Sequence, residues 1–387
     1  MSSILGLPDE GRDALMSAGL DPPDVALESW RRWERSGADA RTDPVARRWL
    51  PLIGRNLRDA PVDPPVRALF AEARRHAWAS NLRLLDAARP ALDSLAAAGI
   101  RTMLLKGAVL ANPPYSEPGL RPIGDVDVLV EPVHAHTATR ILEESGWAAW
   151  SKPRERDLLL THALDLWKPP HGALDVHWYL LFECRWAGVD EGVWQRAQPM
   201  PSVTSTTVVP AAADLLFHIC VHGPRWSPVH AGHWVADAVG IIQNAGGRLD
   251  WDVVIAEAAR RRLGLQMTHA LDVVRERGHV DVPQAVITRL KQQPVSWRDR
   301  LECRLKGRPM LGAGHFVIWT AWRRSAAAAR AAGRRPPSWT RFLAATLGVA
   351  TPAALVGWFA ERTWALTRAV VYRVVREIDA DPNRRGR

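Results

Sequence analysis

One stretch, Met103 to Val130 (MLLKGAVLANPPYSEPGLRPIGDVDVLV), limits what this chain can fold into more than any other. It reads as a short apolar strand, a Lys106-Gly107 turn, a brief helix, a loop rich in proline and glycine that carries Tyr115 and Arg121, and a second strand bearing Asp125 and Asp127. Side chains alternate faces along a strand, so two acids two residues apart point the same way. Acids placed like this can hold a metal ion through oxygen ligands.

The segments around this stretch fall into an order. From Ala26 to Ile100 apolar residues recur at three and four, the spacing of amphipathic helices. Asp21-Pro22-Pro23 and Asp63-Pro64-Pro65 mark helix starts, with aspartate as the cap. Pro90 is expected to break or kink the last of these helices, and Gly99 to end it in a left-handed conformation before a strand over 100–105. Further on, His162–Trp167 (HALDLW) and Ala173–Trp178 (ALDVHW) flank a Lys-Pro-Pro-His-Gly turn and predict an antiparallel hairpin, with Asp175 and His177 on one face. From Ala211 the helical period returns in four segments separated by glycine-containing breaks. The expected fold class is therefore α+β: a small mixed-sheet core over 91–205, preceded by a helical segment over 1–90. A helical bundle over 206–295 and a basic helical region over 296–387 follow it.

Composition narrows the function classes. The net charge of +10 favours polyanionic partners, but it rests almost wholly on arginine, since only five of the 51 basic residues are lysines. Against that background Lys106 stands out. Three widely spaced cysteines without a CxxC pair support neither a disulfide framework nor a cysteine zinc site. No basic segment followed by an apolar one opens the sequence, so a cytoplasmic location is expected.

Transfer of phosphoryl or nucleotidyl groups needs divalent metal on oxygen ligands, and two ions need carboxylates from neighbouring backbone. Asp125 and Asp127 supply two from one strand. Asp175 supplies a third from another and is the natural general base, with Asp165 on the facing hairpin arm as its competitor. Adjacent strands lie about 4.8 Å apart, close enough for such groups to converge.

Leu105-Lys106-Gly107-Ala108, Tyr115, Arg121, Gly124-Asp125-Val126-Asp127-Val128 and Leu174-Asp175-Val176-His177-Trp178 together resemble the signature of the uncharacterised bacterial nucleotidyltransferase family. That family is a branch of the DNA polymerase β-like nucleotidyltransferase superfamily, often found near lasso and other ribosomal peptide clusters. The resemblance runs over roughly 70–285 and takes in His218, His222, Trp234, Asp237 and Trp251. It departs from the superfamily pattern at Ala108, where a serine or second glycine often stands, and in the seventeen residues between Gly107 and Asp125. It implies metal-dependent transfer of NMP from an NTP such as ATP to an acceptor, a peptide or small molecule, with release of pyrophosphate. It further implies Mg2+, or Mn2+ in its place, in a two-ion site on Asp125, Asp127 and Asp175. Lys106, Gly107, Tyr115, Arg121 and His177 then contact substrate. The rival readings are a catalytically silent nucleotide-binding scaffold of a peptide-modifying complex, or a nucleic-acid-binding protein.

Two other features carry bland and sharp readings side by side. His218 and His222 share a helix face, with His230 and His233 nearby, and structural packing outranks a zinc site because Ile219 stands where an HExxH motif needs glutamate. The uncharged run over 342–360 is long enough to span a bilayer. Pro352 and its small residues rank core packing first, a membrane-surface helix second and a span third, and the basic helix that follows offers peripheral membrane contact.

Overall fold

The computed structural model describes residues 10–111, 117, 119–149, 155–170, 172–224, 232–306, 310–349, 351–358 and 360. Four helices open the chain: α1 (Glu10–Leu20), α2 (Pro23–Arg35), α3 (Pro44–Asn56) and α4 (Pro64–Ala97). Prolines sit in the first turn of α2, α3 and α4, where a missing N–H costs nothing. Of the aspartates before them, Asp43 caps α3 by accepting from Val45 and Ala46 N–H, whereas Asp63 makes no such bond. The helix before the core also differs from the sequence expectation at Pro90, which lies inside an unbroken α4 of 34 residues. Pro90 is exposed while Ala88, Ala91, Leu92 and Leu95 around it are buried, so packing of the opposite face holds the helix together across the missing bond. Gly99 ends it at φ 72°, as expected.

The core is one seven-stranded mixed sheet. Its strands are β1 (Thr102–Leu104), β2 (Val126–Leu129), β3 (Ala148–Ala149), β4 (Ala163–Lys168), β5 (Gly172–His177), β6 (Gln198–Pro199) and β7 (Thr207–Val209), in the order β3-β4-β5-β2-β1-β7-β6. The hairpin β4–β5 forms as its alternating pattern predicts, and β1 returns antiparallel onto β2. β2 and β5 run parallel, their paired residues 48 apart in sequence, with Asp127 opposite Asp175. α5 (Lys106–Leu110) follows β1 directly, α6 (Ala135–Glu144) connects β2 to β3, and α7 (Glu191–Arg196) precedes β6. Both central strands, β1 and β2, are buried throughout, with α4 packed across β1, β2 and β5.

α8 (Ala212–His222), α9 (His233–Ala245), α10 (Trp251–Arg261), α11 (Gly264–Gly278) and α12 (Gln284–Lys291) pack on one another, and Asp250 caps α10. Buried apolar residues from Ala14 to Leu290 form one continuous cluster, so opening helices, sheet and bundle share a core. α13 (Trp297–Lys306), α14 (Met310–Ala331) and α15 (Trp339–Thr346) follow. Ile318, Ala321, Phe342, Leu343, Ala344 and Leu355 make a second, smaller cluster. The uncharged run thus begins as a short helix buried against α14, and among the described residues no helix is long and apolar enough to cross a membrane. The basic segment after 360 lies outside the described residues.

Phe342 anchors this second cluster, 1% exposed and with the Arg185 guanidinium 4.0 Å from its ring. Phe342→Ala is expected to cost the cluster about 3 kcal/mol. Hydrogen exchange should then show α15 and the 318–321 segment losing protection before β2 and β5; simultaneous loss in the central strands would show that the two clusters open as one.

Candidate active site

The site grows out of the turn that follows β1. Leu105 N–H donates to Asp127 O (3.0 Å), clamping the end of β1 to β2, and the chain then turns sharply through Lys106 at φ 43°. A left-handed lysine is uncommon and costs about 1 kcal/mol or more, a price that cores accept where a side chain has to be aimed. Here it places Nζ 2.5 Å from Asp127 Oδ1. Gly107 comes next because no side chain fits: a Cβ there would lie 2.5 Å from Ile123 Cγ2.

β2 begins at Val126, so Asp127 lies in the strand and is buried, while Asp125 sits just outside it and is exposed. On the neighbouring strand His177 is 1% exposed, and its Nε2 lies 2.9 Å from Asp175 Oδ2 and 3.1 Å from Asp127 Oδ1. Asp127, Asp175 and His177 bring one ligand atom each within 4.8 Å of one another and form the one such group of three among the described residues. The Asp175 Oδ1 atom is buried without a hydrogen-bond partner. Asp165 faces Asp175 across the β4–β5 pair, so three strands carry carboxylates in one row.

Mutual influence sets the charges. Burial works against ionised Asp127, yet the Lys106 ammonium and the His177 ring hold its carboxyl well below the usual carboxylate range. Burial likewise disfavours a charged His177, but the Asp175 charge and the hydrogen bond to Asp127 push it up to about 9. Burial opposes the Lys106 charge as well, and the Asp127 and Asp175 carboxylates raise its pKa nonetheless. For Asp125 the surrounding protein and then the Asp127 charge push the carboxyl up to about 6, and Asp165 is raised by burial and by Asp175.

A cavity of about 310 Å3 opens beside this cluster, with Lys106, Gly107, Asp125 and Asp127 on one side and His222, Trp234 and Asp237 from α8 and α9 on the other. Arg121 bridges the two walls. Its Nε and Nη2 donate to the two oxygens of Asp237 at 2.7 and 2.9 Å, so the fork expected to meet phosphate is engaged by a carboxylate of the helical bundle. The loop that carries it is held from α4: Asn81 Nδ2 donates to Arg121 O, and Ile123 N–H donates to Asn81 Oδ1. Arg48 of α3 lines the cavity and donates to Pro122 O (3.2 Å). Beside Asp237, His233 is buried and its pKa is lowered to about 4, by burial and then by Arg121.

The structure thus brings Lys106, Gly107, Asp125, Asp127 and Arg121 to one cavity, and joins Asp175 and His177 to it through Asp127. Tyr115 and His230 lie outside the described residues. His218 and His222 meet edge to face, 5.6 Å between ring centroids, and belong to no metal-ligating group among the described residues. Arg48 and Asn81 escaped the sequence reading. Asn81 left a faint signal as a polar residue on the otherwise apolar stripe of α4; Arg48, one arginine among many, left none.

Carboxylates converging from neighbouring strands beside a lysine-bearing turn suit an enzyme of phosphoryl or nucleotidyl transfer. A sequence model of the uncharacterised nucleotidyltransferase family matches residues 45–278, well over half of the chain, and the protein belongs to that family. The match spans α3 to α11, so it takes in Arg48, the sheet and Asp237 alike. Family membership makes the protein a nucleotidyltransferase and implies a nucleotide substrate. No curated protein matches the chain.

Two outcomes follow from this geometry. Gly107→Ala should destabilise the fold by about 1–3 kcal/mol through the Ile123 contact, and Ile123→Ala should recover part of that loss in a double-mutant cycle; additive effects would place the strain elsewhere. For His233, the unfolded ring binds a proton near pH 6.5 and the folded ring only near pH 4, so its contribution is full above 6.5 and is lost as pH falls through that window. The unfolding free energy from denaturant titrations should fall over this range by an amount on the order of 3 kcal/mol in the wild type, and His233→Gln should flatten the slope.

Proposed function

We propose that the protein transfers NMP from an NTP to an acceptor nucleophile and releases pyrophosphate, using divalent metal, Mg2+ or Mn2+, held by Asp125, Asp127 and Asp175. The observation that carries this reading is the register of β2 on β5, which sets Asp127 directly opposite Asp175 beside Lys106. Like charges opposed on adjacent strands repel, so a protein that keeps them there gains by having a cation between them.

The donor set fits such an ion. Four carboxylates, Asp125, Asp127, Asp165 and Asp175, crowd around two cationic side chains, Lys106 and His177, and Asp175 Oδ1 is a buried acceptor with nothing to accept from. All-oxygen ligands suit Mg2+, and a bound ion would neutralise charge on the phosphates. The remaining work falls to the chain itself. Lys106, held as an ammonium, is placed to meet a phosphate oxygen once its carboxylate partner is engaged elsewhere. Asp175, whose Oδ2 is tied to His177, has Oδ1 left to take a proton from the acceptor. His177 keeps Asp127 and Asp175 oriented through one nitrogen. Arg121 and Asp237 fix the far wall, so the acceptor is met by α8 and α9.

Calorimetric titration with ATP, CTP, GTP and UTP in the presence of Mg2+ is expected to show binding of at least one, with pyrophosphate released on turnover. Asp125→Asn and Asp127→Asn should lower metal-dependent turnover by at least about a hundredfold while circular dichroism remains that of the wild type. Retained turnover in the folded variants would refute the assignment. Nucleotide binding without pyrophosphate release under any acceptor would leave a nucleotide-binding scaffold in its place.

A further inference from the structure

A second cavity, of about 340 Å3, shares no lining residue with the first. It lies where the end of α10 meets α13 and α14, so two thirds of its lining residues come from beyond the family-matched residues. Arg260, Arg261, Arg262, Arg298, Arg323 and Arg324 line it. Four of these six have carboxylate partners. Glu257 takes Arg260, Asp190 takes Arg261, Glu302 takes Arg324, and Asp299 stands 3.8 Å from Arg262. Glu257 also meets Arg196, whose charge is answered by Asp214. Asp299, which lines the same cavity, also stands 3.8 Å from Arg324, but among the described residues no carboxylate lies within ion-pair distance of Arg298 or Arg323.

Two further observations bear on how these cations are held at the cavity. The guanidinium of Arg298 lies 4.7 Å from the Trp297 ring, and that of Arg323 lies 5.0 Å from the Trp319 ring, with Arg298 on the same indole at 5.9 Å. Stacking on aromatic faces fixes the plane of a guanidinium and leaves its N–H edge directed outward. The Arg298 Nε is buried without a hydrogen-bond partner. Arg262, in turn, ends α10 at φ 57°, a left-handed position that glycine ordinarily fills. Its side chain stands at the cavity rim, 63% exposed.

We propose that this cavity binds a small phosphate-bearing dianion through Arg298, Arg323 and Arg262. Its volume is that of a small-molecule site. Guanidinium groups arriving from three helices suit a tetrahedral oxyanion, whose oxygens point in several directions, better than a planar carboxylate that a single fork satisfies. The proposal does not rest on the catalytic reading above.

The test uses inorganic phosphate, pyrophosphate and AMP, titrated calorimetrically without divalent metal into the full chain. At least one should bind saturably. That binding should persist in Asp125→Asn, and weaken about tenfold in Arg298→Gln and again in Arg323→Gln. Arg262→Gly should weaken it as well while leaving thermal stability equal or higher, since glycine relieves the left-handed backbone, so lost binding there cannot be lost folding. The proposal is overturned if none of the three probes binds. It is equally overturned if binding disappears in Asp125→Asn but survives the arginine variants, if succinate binds in preference to phosphate, or if only an oligonucleotide binds, with steep salt dependence.

Discussion

The opposition of Asp127 and Asp175 across β2 and β5 is the constraint from which the rest of the site follows. With Asp165 on β4 it makes a row of three carboxylates across adjacent strands. Such a row repels itself, and the buried members lose water whose return would be worth several kcal/mol per ion. The sheet holds them because two cations enter the row from opposite directions. His177 comes from within β5, two residues beyond Asp175, and Lys106 from the turn after β1. Lys106 reaches Asp127 only from a left-handed backbone, and that turn closes only because residue 107 has no side chain to meet Ile123. Strain, glycine and charge at this corner are one arrangement.

The same corner explains why the opening helices reach the candidate site. In the described stretch 119–125 ahead of β2, polar backbone groups are met by side chains from other elements: Asn81 at Arg121 O and Ile123 N–H, and Arg48 at Pro122 O. Arg121 then carries the loop to Asp237 on α9. Removing one partner of that buried fork would leave the other charge stranded, so the pair sets the distance between the sheet wall and the bundle wall.

The sequence made the local parts of this legible and hid the long-range ones. The hairpin β4–β5 and the strand with Asp125 and Asp127 announce themselves by alternation and a short turn, and the helices from α8 to α11 by a 3.6-residue period. The parallel register of β2 on β5 joins residues 48 apart, and no local pattern encodes it; the alternation names Asp175 as a third carboxylate on another strand but does not set it opposite Asp127. Two-residue strands such as β3 and β6 are too short to show any period. Pro90 reads as a break because propensity is local, whereas the buried stripe of α4 that overrides it is tertiary. Arg121 reads as a phosphate ligand in isolation and is met as an ion pair once α9 folds beside it.

Arginine and lysine divide the buried charge in a way that bears on chemistry. Most buried ties between elements are made by arginine, as in Arg121 with Asp237, Arg261 with Asp190 and Arg324 with Glu302, while Lys306 makes one with Glu183. Planar guanidinium groups grip both oxygens of a carboxylate and hold it in one orientation. At Asp127 a fork of that kind would occupy both oxygens and leave nothing for a ligand. A lysine ammonium is a compact point charge that takes one oxygen, Oδ1, and it is the same atom that His177 approaches. The other oxygen of Asp127 therefore stays outside both contacts. In a chain with five lysines, the one placed at the carboxylate row is the cation whose geometry leaves Asp127 open to a second partner.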